Sequence, residues 1–255
     1  MLDVWAAVSG QTVGEAWLRR DEPKSPETVA KFETAMSQIA RGVPFAYAVG
    51  SAGFRTLDLA IDPRALIPRP ETEGLVELVL GRVQGGIAAD VGTGSGCIAL
   101  SLAVEGSFER VIAVERSPAA AALARENVAA IRPPVPVEIL EGNLLEPLGD
   151  GRERYRVIVA NPPYLTATEY AALDPSVRDF EPGDALMSGA DGLEATEKLL
   201  AGAAALLEAG GLLALEIDER RATEVQTLGA RYGWTTVEIH DDLFGRPRYA
   251  LAVRA

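Results

Sequence analysis

The chain has 255 residues, is 48% hydrophobic and carries a formal net charge of −13, with a mean hydropathy of +0.10. That is enough apolar material for one large domain plus a small appendage. An acidic chain is a poor general binder of nucleic acid, because phosphate repulsion must be overcome locally.

The charge is uneven. Residues 1–86 hold 9 Lys/Arg against 11 Asp/Glu, net −2, and the remainder 15 against 26, net −11. Cys97 is the sole cysteine and His240 the sole histidine. An intrachain disulfide and a histidine-rich metal centre are therefore excluded. Cys97 reads as a packed small residue on an apolar face, and His240 as structural. Met1-Leu2-Asp3-Val4-Trp5 lacks the basic flank and apolar segment of a signal peptide, and no run is long enough to span a bilayer. A cytoplasmic, membrane-free monomer is the expectation.

Residues 1–43 read as a short N-terminal helical domain. Ser25-Pro26-Glu27 opens a helix in which Val29, Phe32, Met36 and Ile39 share a face. Residues 44–86 predict a β-hairpin and a linker helix. Phe45–Val49 and Phe54–Leu59 alternate as strands around a Gly50–Gly53 turn. Pro68-Arg69-Pro70-Glu71-Thr72-Glu73 then leads into a helix burying Leu75, Val76, Val79 and Leu80. Residues 87–255 alternate strand, glycine turn and helix, which implies a mostly parallel sheet covered on both faces, an α/β Rossmann-like class. Strands are predicted at 87–91, 111–115, 135–140, 155–160 and 211–217, and helices at 97–105, 118–130, 193–209 and 219–232. The final runs, Trp234–His240 and Tyr249–Val253, lie too close for a helical crossover and should pair antiparallel.

Asp90-Val91-Gly92-Thr93-Gly94-Ser95-Gly96 ends the first of these strands and opens a helix. Glycines there let the backbone approach a ligand without a Cβ in the way. The pattern departs from the dinucleotide fingerprint at Cys97, and a plain tight turn is the alternative. Glu115 ends the next strand about 20 residues later, where a ribose-binding acid belongs. Asn143-Leu144 after the third strand could hold an adenine edge. The most informative residues are Asn161-Pro162-Pro163-Tyr164, which close the strand 155–160. The Asn161 side-chain oxygen and the Pro162 carbonyl offer two acceptors on a loop stiffened by Pro163, and Tyr164 adds a flat ring. That set suits a planar group with two N–H bonds, an amide or an exocyclic amine.

Taken together with Pro44–Gly50, Leu66–Glu73, Phe180-Glu181-Pro182, Ala185-Leu186, Gly189–Leu193 and Gly245-Arg246-Pro247-Arg248, these motifs resemble the HemK/PrmC family. Its members are protein-(glutamine-N5) methyltransferases acting on peptide-chain release factors. The resemblance runs from about Arg41 to the C-terminus. It implies a class I methyltransferase sheet, S-adenosyl-L-methionine as donor and the glutamine of a Gly-Gly-Gln motif as acceptor. By position it implies that Asp90, Val91, Gly92, Thr93 and Gly94 cradle the donor's methionine part. Glu115 would take the ribose hydroxyls, and Asn143 and Leu144 would lie beside adenine. Asn161, Pro162, Pro163 and Tyr164 would hold the glutamine, with Asn161, Pro162 and Tyr164 as the catalytic set and Asn161 also touching the donor, and Arg69, Glu71 and Thr72 would close over the pocket. A proline-stiffened linker and capped helix is the alternative for those last three.

Three departures from the family pattern stand out. Glu115 replaces the usual Asp. Leu215-Glu216-Ile217 runs into Asp218-Glu219-Arg220-Arg221 rather than glycine and then glutamine. About 40 residues precede the expected hairpin, fewer than the family's helical domain. An alternative substrate is an exocyclic amine of adenine or guanine, against which the charge and the lack of a basic arm argue. A nucleotide-binding module or an NAD-dependent oxidoreductase would leave the Asn161 loop without a purpose. The acidic catalytic portion would suit a translation factor with a basic opposing surface.

Overall fold

The computed structural model describes residues 1–149 and 153–255. The chain begins with α1 (Leu2–Ser9), α2 (Val13–Leu18), α3 (Pro26–Ala40) and α4 (Phe45–Val49). Local chemistry fixes their starts. Thr12 and Glu15 form a reciprocal capping box on α2, and Ser25 accepts from Thr28 N ahead of Pro26 on α3. Strands β1 (Ser51–Phe54) and β2 (Leu57–Ala60) form a two-stranded antiparallel sheet, and α5 (Pro70–Leu80) follows.

The hairpin is shifted from its sequence expectation. Phe45–Val49 is one turn and a half of helix, ended by Gly50 in the left-handed region at φ 79°. The reversal falls at Arg55-Thr56, between paired Phe54 and Leu57. Arg55 takes φ 52° there, an unusual choice for a residue with a Cβ. Its side chain explains the tolerance. The guanidinium donates to both Glu105 oxygens at 2.8–3.1 Å and to Glu77 at 2.8 Å, while its own N–H donates to Glu73 at 2.9 Å.

The main sheet contains β3 (Ile87–Val91), β4 (Arg110–Glu115), β5 (Val137–Glu141), β6 (Tyr155–Ala160), β7 (Leu207–Glu216), β8 (Val237–Asp241) and β9 (Pro247–Val253). Interleaved with them are α6 (Cys97–Glu105), α7 (Pro118–Ile131), α8 (Ala167–Ala171), α9 (Pro175–Arg178), α10 (Glu194–Leu206) and α11 (Ala222–Arg231). The strand order is β5-β4-β3-β6-β7-β9-β8. The first five are parallel, and β9 runs antiparallel between β7 and β8. Each predicted parallel strand is present within a few residues. The largest difference is β7, which starts at Leu207 rather than 211 and shortens α10. Its register against β6 shifts between Tyr155 and Val157. The expected helix at 219 opens as a single tight turn, Glu219–Arg221, before α11.

The strand period of two sorts the core into two layers. Ala88, Val111, Ala113, Val157, Val159, Leu212 and Leu251 face Leu75, Val79, Leu100 and Leu102 of α5 and α6. Ala89, Val91, Ile112, Val114, Ile158, Leu213 and Leu215 face Leu199, Leu200, Ala203 and Val225 of α10 and α11. Chain order reverses between β3 and β6, which pair through Val91 and Ala160. Gly92 and Asn161 follow those two residues, so both sequence motifs emerge side by side at the switch point of the sheet.

Candidate active site

A cleft of about 670 Å³ opens at this edge, within the roughly 300–1,000 Å³ usual for small-molecule sites. Of the residues singled out from sequence, Arg69, Thr72, Gly92, Thr93, Gly94, Glu115, Asn143, Leu144, Asn161 and Pro163 line it. Glu71, Asp90, Val91, Pro162 and Tyr164 lie outside its walls.

The glycine loop forms the floor. Gly92 and Gly94 hold φ 78° and 56°, and the space that a Cβ would fill at each is open to 4 Å. A side chain at either position would enter the cleft, so the loop reserves room for a ligand at backbone distance. Asp90 lies beneath, fully buried. Its Oδ2 accepts from Thr93 Oγ1 at 2.5 Å and from Ala99 N at 3.0 Å, and its Oδ1 has no partner among the described residues. Burial raises this carboxyl to about 7, with the Thr93 and Ala99 hydrogen bonds opposing. Asp90 is thus the loop's anchor rather than part of the wall. Cys97 follows at the head of α6, buried, its thiol raised to about 12 by burial first and then by the Asp90 carboxylate.

Glu115 closes the floor from β4. Its Oε2 accepts from Gly94 N at 2.9 Å and its Oε1 from Ser117 N at 2.8 Å. The side chain thereby reaches the glycine loop itself, while each oxygen keeps a second lone pair for a diol. Leu144 holds φ 49°, a strained conformation of the kind concentrated at ligand sites.

The Asn161 corner forms the opposite side. Asn161 Nδ2 donates to Thr72 Oγ1 at 3.0 Å, and Thr72 Oγ1 donates to Glu216 Oε2 at 2.7 Å. A hydroxyl has one proton; with that proton on a carboxylate, Thr72 can only accept from Asn161. The Asn161 amide nitrogen is thereby committed to Thr72 and its oxygen is left for the cleft. The corner is braced from behind, where Tyr164 N and Leu165 N both donate to Leu186 O at 3.1 and 2.9 Å. Tyr164 is half-buried. Its hydroxyl is pushed well above the usual phenol range by burial, with Glu216 adding and Arg248 opposing.

Two carboxylates that the sequence motifs include without assigning them a role brace the site. Glu181 is a clamp: its Oε1 accepts from Arg69 Nη2 at 2.6 Å and its Oε2 from Ile67 N at 3.1 Å, tying the Ile67–Arg69 segment to the opposite rim. Glu216 is 1% exposed. Its signal in sequence is a carboxylate that ends the apolar run Leu212-Leu213-Ala214-Leu215.

A doubly wound sheet that brings a glycine cradle, a carboxylate at the next strand end and an Asn-Pro-Pro-Tyr corner to one cleft defines a Rossmann-like methyltransferase. The family described as "Methyltransferase small domain" matches residues 71–174. A methyltransferase from Pyrococcus furiosus superposes with a TM-score of 0.58 at 22% identity, over 86% of this chain and 96% of that one. A release factor glutamine methyltransferase of Geobacter sulfurreducens is 39% identical over 230 residues, covering 90% of this chain and 79% of the relative. One from Xylella fastidiosa is 41% identical over 238 residues, covering 91% and 85%. The chain belongs to the release factor glutamine methyltransferase family.

Proposed function

We propose that this chain transfers a methyl group from S-adenosyl-L-methionine to the side-chain amide nitrogen of the glutamine in the Gly-Gly-Gln motif of peptide-chain release factors. The carrying observation is the polarity of Asn161. With its nitrogen committed to Thr72, the corner offers acceptors, and an amide NH₂ is a pure donor.

The donor supplies an electrophilic methyl on a positively charged sulfur. The empty Cβ space at Gly92 and Gly94 and the open lone pairs of Glu115 fit its amino-acid tail and its ribose. Asn143 and the strained Leu144 would flank the base. Asn161 Oδ1, on the cleft wall, would take one N–H bond of the glutamine amide, and the Pro162 carbonyl, behind the wall in this structure, would take the other once the substrate is seated. An amide nitrogen is a weak nucleophile, its lone pair being delocalised into the carbonyl. Two fixed acceptors hold that nitrogen in one orientation and stabilise the positive charge that grows on it as the new bond forms. No base is needed before transfer, since the surplus proton leaves once the nitrogen has become cationic. Tyr164 and Pro163 would stiffen the corner, and Arg69, held by Glu181, would bound the substrate side.

Mass spectrometry of release factor incubated with the chain and donor tests this reading. The Gly-Gly-Gln peptide should become about 14 Da heavier, while DNA and ribosomal RNA stay unmodified. Methylation of an adenine or guanine amine instead would overturn it.

A further inference from the structure

We propose that Glu216 is a positioning residue: acting through Thr72, it fixes which face of the Asn161 carboxamide meets the substrate, so that only its ionised form presents the acceptor. The inference rests on the function proposed above for its meaning, and on the hydrogen-bond geometry for its existence.

The geometry allows two self-consistent states. With Glu216 ionised, the Thr72 proton points to Glu216 Oε2 and Asn161 Nδ2 points to Thr72. Asn161 Oδ1 then faces the cleft. We place the added proton on Glu216 Oε2, the oxygen Thr72 reaches, where the carboxyl becomes a donor to Thr72 Oγ1. In the proposed second state the Thr72 proton turns toward Asn161, which accepts it by presenting Oδ1. The carboxamide flips, and the cleft receives an NH₂ where a substrate NH₂ must bind. Donor meets donor, and the site rejects an amide.

The surroundings set this switch within reach of ordinary pH. Thr72 and Glu71 of α5 and Arg69 before it face Glu216 from one side, and Arg248 and Tyr249 of β9 from another. Tyr164 approaches from the Asn161 corner and Cys97 from α6. Asp218 and Asp242 lie further out beside the two tyrosines and Arg248. Burial dominates and lifts the Glu216 carboxyl to about 7, with the Thr72 bond and then Arg248 opposing.

The experiment combines kinetics with a readout independent of substrate. At saturating donor, wild-type kcat/KM for the glutamine substrate should fall about tenfold per unit below about pH 7. Glu216→Gln, neutral at every pH, should lose this acid limb, as should Thr72→Val, which keeps the shape and cuts the relay. Thr72→Ser should retain it. In parallel, the Asn161 side-chain amide resonances, assigned with Asn161→Asp, should titrate with the same midpoint in the wild type and not in Thr72→Val. An acid limb unchanged in both Glu216→Gln and Thr72→Val would refute the inference. So would amide resonances that stay fixed between about pH 5.5 and 8.5, whatever the substrate proves to be. Wild type that titrates yet leaves glutamine unmodified would overturn the proposed function alone.

Discussion

Replacing Asn161 by Ala separates chemistry from folding more cleanly than any other change in this chain. The side chain is half-buried at the cleft wall and makes one hydrogen bond in the structure, 3.0 Å to Thr72. Thr72 keeps its bond to Glu216, and water can reach the orphaned lone pair from the cleft. The stability loss should therefore be that of one partly exposed hydrogen bond, about 1 kcal/mol. The rate should suffer far more, because a preorganised acceptor aimed at developing charge is removed, an effect of roughly 3 kcal/mol or 10²–10³ in turnover. The donor site should be spared, since Glu115 and the glycine loop make no hydrogen bond to Asn161 in the structure. Single-turnover methyl transfer at saturating donor, donor affinity by calorimetry and thermal unfolding give the three numbers. Turnover within tenfold of wild type would refute the reasoning, and so would a loss explained by donor affinity.

Gly74 sits in α5 where a Cβ would overlap the Tyr249 hydroxyl and stand 2.9 Å from its Cζ, and that hydroxyl donates to Glu71 O at 2.6 Å. Gly74→Ala gains helix propensity of about 1 kcal/mol but loses roughly 1–3 kcal/mol to overpacking. The melting temperature should fall by a few degrees, and a rise would show that Tyr249 yields freely. Stability should also depend on pH in an unusual direction. Asp90 and Glu216 are both raised above their unfolded values by burial. Their contribution is fully present below about pH 4 and is lost as pH rises through about 7, by up to roughly 4 kcal/mol for Asp90 and roughly 3 kcal/mol for Glu216. Chemical denaturation should show stability falling from about pH 5 to 8, with a shallower slope in Asp90→Asn; an unchanged slope in that variant would contradict the assignment.

The parallel sheet was legible because its strands are buried on both faces and read as apolar runs cut by glycine turns. The antiparallel end was legible from spacing alone. Phe45–Val49 was misread because five alternating apolar residues satisfy one helical turn as well as a strand, and Gly50 then ends the helix rather than turning a hairpin. The true reversal at Arg55 depends on Glu73, Glu77 and Glu105, partners 18 to 50 residues away, and no local rule could supply them. At the site, the residues after β3 and β6 declared themselves by glycine and proline. Tyr164 and Asp90 carried the same motif weight yet stand behind the cleft. Glu181 and Glu216 act through tertiary contacts with Arg69 and Thr72, from elements more than a hundred residues distant in the chain.

The buried thiol at the head of α6 carries a last consequence. A methyl sulfonium is an alkylating agent, and Cys97 is among the residues that line the cleft proposed to hold one. Burial pushes this thiol up to about 12, so it stays protonated at neutral pH, and Lys198 is tied to Glu194 at 2.7 Å. A donor held over the glycine loop as proposed would thus meet no ready nucleophile of the chain's own, which would leave a carboxamide, sluggish everywhere else, as the best available acceptor in the room.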